Sequence, residues 1–186
     1  MGMRKGGVGG AKTQKSGENF ETKTLASLVD SFLKNGYEVI ATRPGGKSPR
    51  GISLANKQGK SIELYFKAAI HKDFFEPRGV ETSKFFSARL EPDTAIYSES
   101  TKTLTIIEKK QQTGTGSVAE KLQTCDYKML YYQTLCKPLG IKVDLVWQLG
   151  SYFLAQKSNL KSVFDYMEEK GSRYFFLEIP FNELKI

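Results

Sequence analysis

Two cysteines, one histidine and one tryptophan are all that 186 residues provide of these types, and each scarcity excludes something. One His with two Cys cannot build a zinc cluster. Cys125 and Cys136 fall in one expected helix, separated by roughly 16 Å of rise, too far for a disulfide. A reducing compartment suits them. No apolar run approaches the about 20 residues of a membrane helix, and neither an amphipathic basic helix nor a cleavable signal pattern is present. The expectation is a soluble, cytoplasmic protein with no membrane partner. Acid is missing from the first 17 residues, which carry Arg4, Lys5, Lys12 and Lys15 among six glycines. Residues 1–15 therefore read as a flexible basic arm, either a solubilising tail or a segment that settles on phosphates.

What is present is cationic. Lys and Arg number 28 against 20 Asp and Glu, a net charge of +8, which favours a polyanion partner. Residues 16–186 are enough for one domain with a proper core. A helix is expected from Ser16 to about residue 35, with Leu25, Leu28, Val29, Phe32 and Leu33 at helical spacing. Glu21 continues that inward stripe, where a carboxylate needs a pairing cation or a metal; Glu18, one turn earlier, is its runner-up. After a strand at 37–41, residues 42–60 read as a long loop carrying Arg43, Lys47 and Arg50 and no acid, either a mobile excursion or a clamp on a phosphate backbone. Strands are expected at 61–70 and 84–90, with His71 between them as a surface or loop side chain. A helix over 117–136 presents Val118, Leu122, Cys125, Met129, Tyr132 and Cys136 to the sheet. Then come a strand at 142–149 with Trp147 as core anchor, a helix at 159–170 and a strand at 174–179. The order suits an α/β fold with a central mixed sheet flanked by helices.

Residues 92–112 carry the chemistry. Two runs, 94–97 and 103–110, flank a polar connection and read as a β-hairpin. The strand period of two puts Leu104, Ile106, Glu108 and Lys110 on one face and Thr105, Ile107 and Lys109 on the other. Asp93, at the mouth of the first strand, meets Glu108 once the hairpin closes. Two carboxylates can hold a hard divalent cation, and a lysine beside it can orient or deprotonate a water, which is what phosphodiester cleavage demands. Gln112 extends the same face, within reach of a phosphate or a site water.

The pattern Pro92-Asp93, spacer, Glu108-Lys109-Lys110 resembles the PD-(D/E)XK nuclease superfamily, with Glu21 in the place of the acid that many members add from an N-terminal helix. Gln123 to Tyr127 is similar to a Gln-x-x-x-Tyr element found on the helix after the lysine strand in some branches. More narrowly, residues 108–126 and the Gly-rich basic start resemble the small cleavage subunits of heterodimeric type IIS restriction enzymes. The resemblance covers about residues 10–148. It implies a restriction-endonuclease-like core and a type II, DNA-cutting activity using Mg²⁺, with Mn²⁺ as a substitute. Asp93, Glu108 and Glu21 would be metal ligands, Lys110 the water-activating residue, and Gln123 and Tyr127 contacts at the site or the phosphates. It also implies double-stranded DNA and a larger DNA-recognition and nicking subunit as partners. Two alternatives stay open: a homodimeric stand-alone endonuclease, and a non-catalytic nucleic-acid-binding module whose acids and lysines form surface ion pairs.

Overall fold

Short alternating runs, too brief to be helices, assemble into one sheet. A computed structural model describes residues 10–46, 48–112 and 118–186, the side chains of 10–18 and 118–119 excepted. Seven strands lie side by side in chain order: β1 (Tyr37–Arg43), β2 (Gly51–Asn56), β3 (Ser61–Tyr65), β4 (Thr94–Ser98), β5 (Thr103–Lys110), β6 (Lys142–Leu149) and β7 (Arg173–Phe176). From β1 to β5 neighbouring strands are antiparallel, while β5, β6 and β7 run parallel. The change of direction follows from the connections, because a parallel step needs a crossover and helices supply it. Between β5 and β6 these are α2 (Val118–Leu122) and α3 (Cys125–Cys136); between β6 and β7 they are α4 (Ser151–Ala155) and α5 (Lys161–Glu169). The protein is thus α/β, a mixed sheet flanked by helices.

β4 and β5 are buried on both faces, so their alternation sorts side chains between two apolar layers rather than between core and water. Leu104 and Ile106 join Leu145, Trp147, Cys125, Met129 and Tyr132 under α3. Ile107 and Ile96 join Leu54, Leu64, Leu28 and Phe32 under α1 (Gly10–Lys34). Each fully buried large side chain stabilises the fold by about 1.5–3 kcal/mol, which makes β5 the strand that both layers depend on.

Several expectations require correction. α1 begins at Gly10 rather than Ser16, because Ala11, Lys12, Gln14 and Lys15 are good helix formers and carry the helix through the expected cap. Residues 42–60 are not one continuous loop: β1 runs on to Arg43 and β2 lies at Gly51–Asn56, Ile52 and Leu54 supplying a strand period that the surrounding Gly, Pro and Lys obscured. Gly51 is required there, since an added Cβ would sit 2.4 Å from the Leu64 carbonyl oxygen on β3. β3 stops at Tyr65, and a π-helical turn follows at Ile70–Phe75. No strand forms at 84–90. Both edges of β4 are already taken by β3 and β5, and side chains satisfy the backbone of the approaching segment instead. The helix expected at 117–136 breaks at residues 123–124 into α2 and α3, yet the stripe from Leu122 to Cys136 is buried as its spacing requires. Both cysteines are buried and free, and Trp147 is a core residue.

Candidate active site

The β4–β5 hairpin sets Thr94 opposite Ile107, so Asp93, one residue earlier, comes alongside Glu108. The period of β5 then divides three consecutive side chains. Glu108 turns toward α3, where its Oε1 lies 2.6 Å from Lys128 Nζ, and Lys109 turns toward α1, its Nζ 3.4 Å from the Glu21 carbonyl oxygen. Lys110 returns to the Glu108 face.

Asp93 sits where the two sides meet. Its Oδ2 accepts the backbone N–H of Lys109 at 2.6 Å and its Oδ1 accepts Lys67 Nζ at 2.6 Å. Lys67 Nζ also donates to Glu21 Oε2 at 2.7 Å, so one ammonium joins the N-terminal helix to the hairpin. Lys67 reaches this point from a left-handed backbone conformation, φ 52°, in the turn after β3. Lys110 Nζ faces three oxygens: the Lys109 carbonyl at 3.0 Å, Glu108 Oε2 at 3.3 Å and Asp93 Oδ2 at 3.6 Å. Lys110 and Lys128 both lie within 6 Å of the Trp147 ring, at 5.8 and 5.7 Å, which fixes the two cations over a rigid face.

Burial and charge oppose each other here. Burial alone would push the Asp93 carboxyl up, but the Lys110 charge, the Lys67 hydrogen bond and the Lys109 N–H together hold it below its usual range. Burial works against the Lys67 ammonium too, and its hydrogen bonds to Asp93 and Glu21 outweigh that and raise its pKa. Lys109, only 5 % exposed, goes the other way: burial brings it down to about 8, with Asp93 and Glu21 offsetting only part.

The donor set suits a hard cation. Two carboxylate oxygens and a backbone carbonyl already surround a single positive charge, and oxygen ligands of this kind suit hard divalent cations such as Mg²⁺, Ca²⁺ or Mn²⁺. Glu21 stands outside that group, with Lys67 between it and Asp93. Among the described residues no three acidic, His or Cys side chains form a closed cluster, because lysines part the acids.

The remaining sequence-derived candidates fall as follows. Gln112 is buried, 5 % exposed, just beyond β5. Gln123 lines a groove with Ser162, Val163 and Tyr166, and Tyr127, 49 % exposed, has its ring edge-on to Phe86. Neither is brought to Glu108; Lys128, the residue after Tyr127, is. Arg43 is paired with Glu63 and lies over the Tyr65 ring, and Arg50 is paired with Asp73. Arg4, Lys5 and Lys47 lie outside the described residues, and of Lys12 and Lys15 only the helical backbone is described. His71 is no surface side chain. It is fully buried, its Nε2 2.8 Å from the Leu90 carbonyl and its Nδ1 2.9 Å from Thr82 Oγ1. Tyr132 O–H donates to the same carbonyl and the Leu90 N–H donates to Tyr131, so the chain leading to Asp93 is pinned by three side chains. Sequence reasoning missed Lys67, Lys128 and this pin; only the left-handed turn and the α3 spacing bear on them, and neither carries a local signal. A scan against protein-family models and a search of curated proteins each return no match.

Proposed function

We propose that the chain is a Mg²⁺-dependent DNA endonuclease with a restriction-endonuclease-like core, the cleavage subunit of a heterodimeric type II restriction enzyme of the type IIS kind. The observation that carries the reading is the ring of Asp93, Glu108 and the Lys109 carbonyl about one lysine ammonium at the end of a buried hairpin. A bound Mg²⁺, or Mn²⁺ in its place, supplies Lewis acidity toward the phosphodiester and the water that attacks it. Asp93 and Glu108 would hold that ion, and Glu21 would join them only with Lys67 displaced from between it and Asp93. Lys110, adjacent to both carboxylates, orients the attacking water through its N–H donors. The Lys109 N–H keeps Asp93 aimed, and Lys128 holds Glu108 in place. One such site cuts one strand, so a larger recognition subunit cuts the other and supplies the sequence specificity that a basic phosphate-binding surface lacks.

A non-catalytic binding module is the second reading, favoured by the lysine beside each acid. Against it stands burial: Glu108 is 3 % exposed, and a surface ion pair needs no carboxylate taken out of water. The test is Mg²⁺-dependent conversion of supercoiled plasmid by the purified chain, with Lys110→Ala and Asp93→Ala beside it. Nicking that disappears in both variants supports the proposal. Discrete double-strand fragments made by the chain alone would replace the heterodimer with a homodimer, and equal cutting by the variants would remove the mechanism.

A further inference from the structure

On the α1 side of Asp93 lies a half-open cavity of about 510 Å³. Its apolar wall is Leu25 from α1, Pro49 from the turn before β2, and Phe66, Ala68 and Ala69 from the turn after β3. Arg50, Lys67, Lys72 and Lys109 provide the cations of its lining, and Glu21 and Asp93 its two acids, both held by Lys67. The cation-dependent chemistry proposed above uses the opposite side of Asp93, where Lys110 and Glu108 stand. Asp93 is therefore shared between the reaction centre and the cavity, and Glu21, the third acid of the proposed site, lines the cavity as well.

Duplex backbone is convex and solvated, and it has no use for a concave apolar wall. A single unstacked nucleotide does: the volume falls within the about 300–1,000 Å³ of small-ligand sites, a base is flat and apolar on its faces, and its phosphate is anionic. We infer that this cavity receives one unpaired nucleotide next to the scissile phosphate, its base against Phe66, Leu25 and Pro49 and its backbone along Arg50 and Lys72. The inference rests on the nuclease reading and narrows its substrate to DNA that is unpaired, or has been unpaired, at one position beside the cut. Phe66 supplies the aromatic surface that sequence-tolerant stacking uses. Lys67, already neutralising Glu21 and Asp93, keeps those carboxylates from repelling the incoming phosphate. Leaving a duplex stack costs a nucleotide a few kcal/mol, so a substrate already unpaired there is spared that loss.

The experiment measures binding of the full chain to two fluorescein-labelled duplexes in Ca²⁺ by anisotropy. They are identical except that one carries a single unpaired nucleotide at its centre. The inference expects the unpaired duplex to bind at least about tenfold more tightly. Ala68→Phe, which fills the cavity without touching a charged group, is expected to erase that preference and leave affinity for the paired duplex unchanged. Leu25→Trp fills it from the opposite wall and serves if Ala68→Phe does not fold. Equal affinity of the wild type for both duplexes, or a preference that survives both fillings, overturns the inference while leaving the nuclease reading standing. Failure to bind either duplex overturns the inference too, and the plasmid-nicking and metal-binding tests then decide the nuclease reading separately.

Discussion

Glu108 has more depending on it than any other side chain in the site, because it is a buried carboxylate with a lysine on each oxygen. Coulomb attraction at low effective dielectric repays its desolvation only while those partners stay. Lys128→Met leaves Oε1 buried without its cation, and the expected loss of stability is about 1–3 kcal/mol by urea denaturation. Glu108→Gln removes the charge that needs compensation, so the double variant is expected to be more stable than the sum of the two single losses implies. Strict additivity would show that the pair does not interact. Lys67→Met acts differently: Lys67 is half exposed, so its loss is expected to weaken the fold by no more than about 1 kcal/mol. It frees Glu21, and faster amide exchange over residues 19–25 with the Phe32 end of the helix unchanged is the signature that hydrogen exchange would read.

At the scale of elements, the segment running into Asp93 is held by a π-helical turn rather than by a strand. The Leu90 carbonyl can only accept, so His71 Nε2 carries the proton and Nδ1 accepts from Thr82. Burial holds the His71 pKa below its usual value, against the pull of the Leu90 carbonyl in the other direction. With the folded pKa depressed, the unfolded chain binds the extra proton first, and stability falls as pH drops below about 6.5 toward the folded value. His71→Gln keeps a donor for Leu90 and cannot titrate there. Its denaturation midpoint is expected to change less than the wild type's between pH 7 and 5; parallel curves would contradict the linkage. The hairpin and the apolar stripes of α1 and α3 were legible in the sequence because each is a local period. β2 was not, since Ile52 and Leu54 are its only strong apolar signal in a Gly, Pro and Lys background. The His71 pin and the Lys67 bridge were illegible for another reason: Lys67 meets Asp93 and Glu21 only after β3, β4 and α1 have assembled. Asp93, Glu108 and Lys110 could be read because one hairpin brings them together, whereas Lys128 depends on how α3 packs on β6.

The whole molecule is cationic, +8 overall, and among the described residues no helix is long and apolar enough to cross a membrane. Its cations are not equivalent. Arg43 is committed to Glu63 and Tyr65 inside the sheet, whereas Arg50, though paired with Asp73, is 45 % exposed and borders the cavity beside Asp93 together with Lys72. Replacing Arg50 and Lys72 together with Gln is expected to reduce the slope of log K against log salt for duplex binding by about 2, near one unit for each phosphate no longer neutralised. Arg43→Gln is expected to lower stability and leave that slope unchanged. The central claim, that buried carboxylates at the hairpin hold a divalent cation for phosphodiester cleavage, is tested most directly by calorimetric titration of Mn²⁺ into the wild type and Asp93→Asn. The amide that this substitution introduces keeps an oxygen for the Lys109 N–H and turns its NH2 toward Lys67, so the comparison removes the charge together with the Lys67 hydrogen bond. The account predicts Mn²⁺ binding by the wild type and its loss, by at least about tenfold in affinity, in the variant. Equal binding by the two proteins, or none by either, would contradict it.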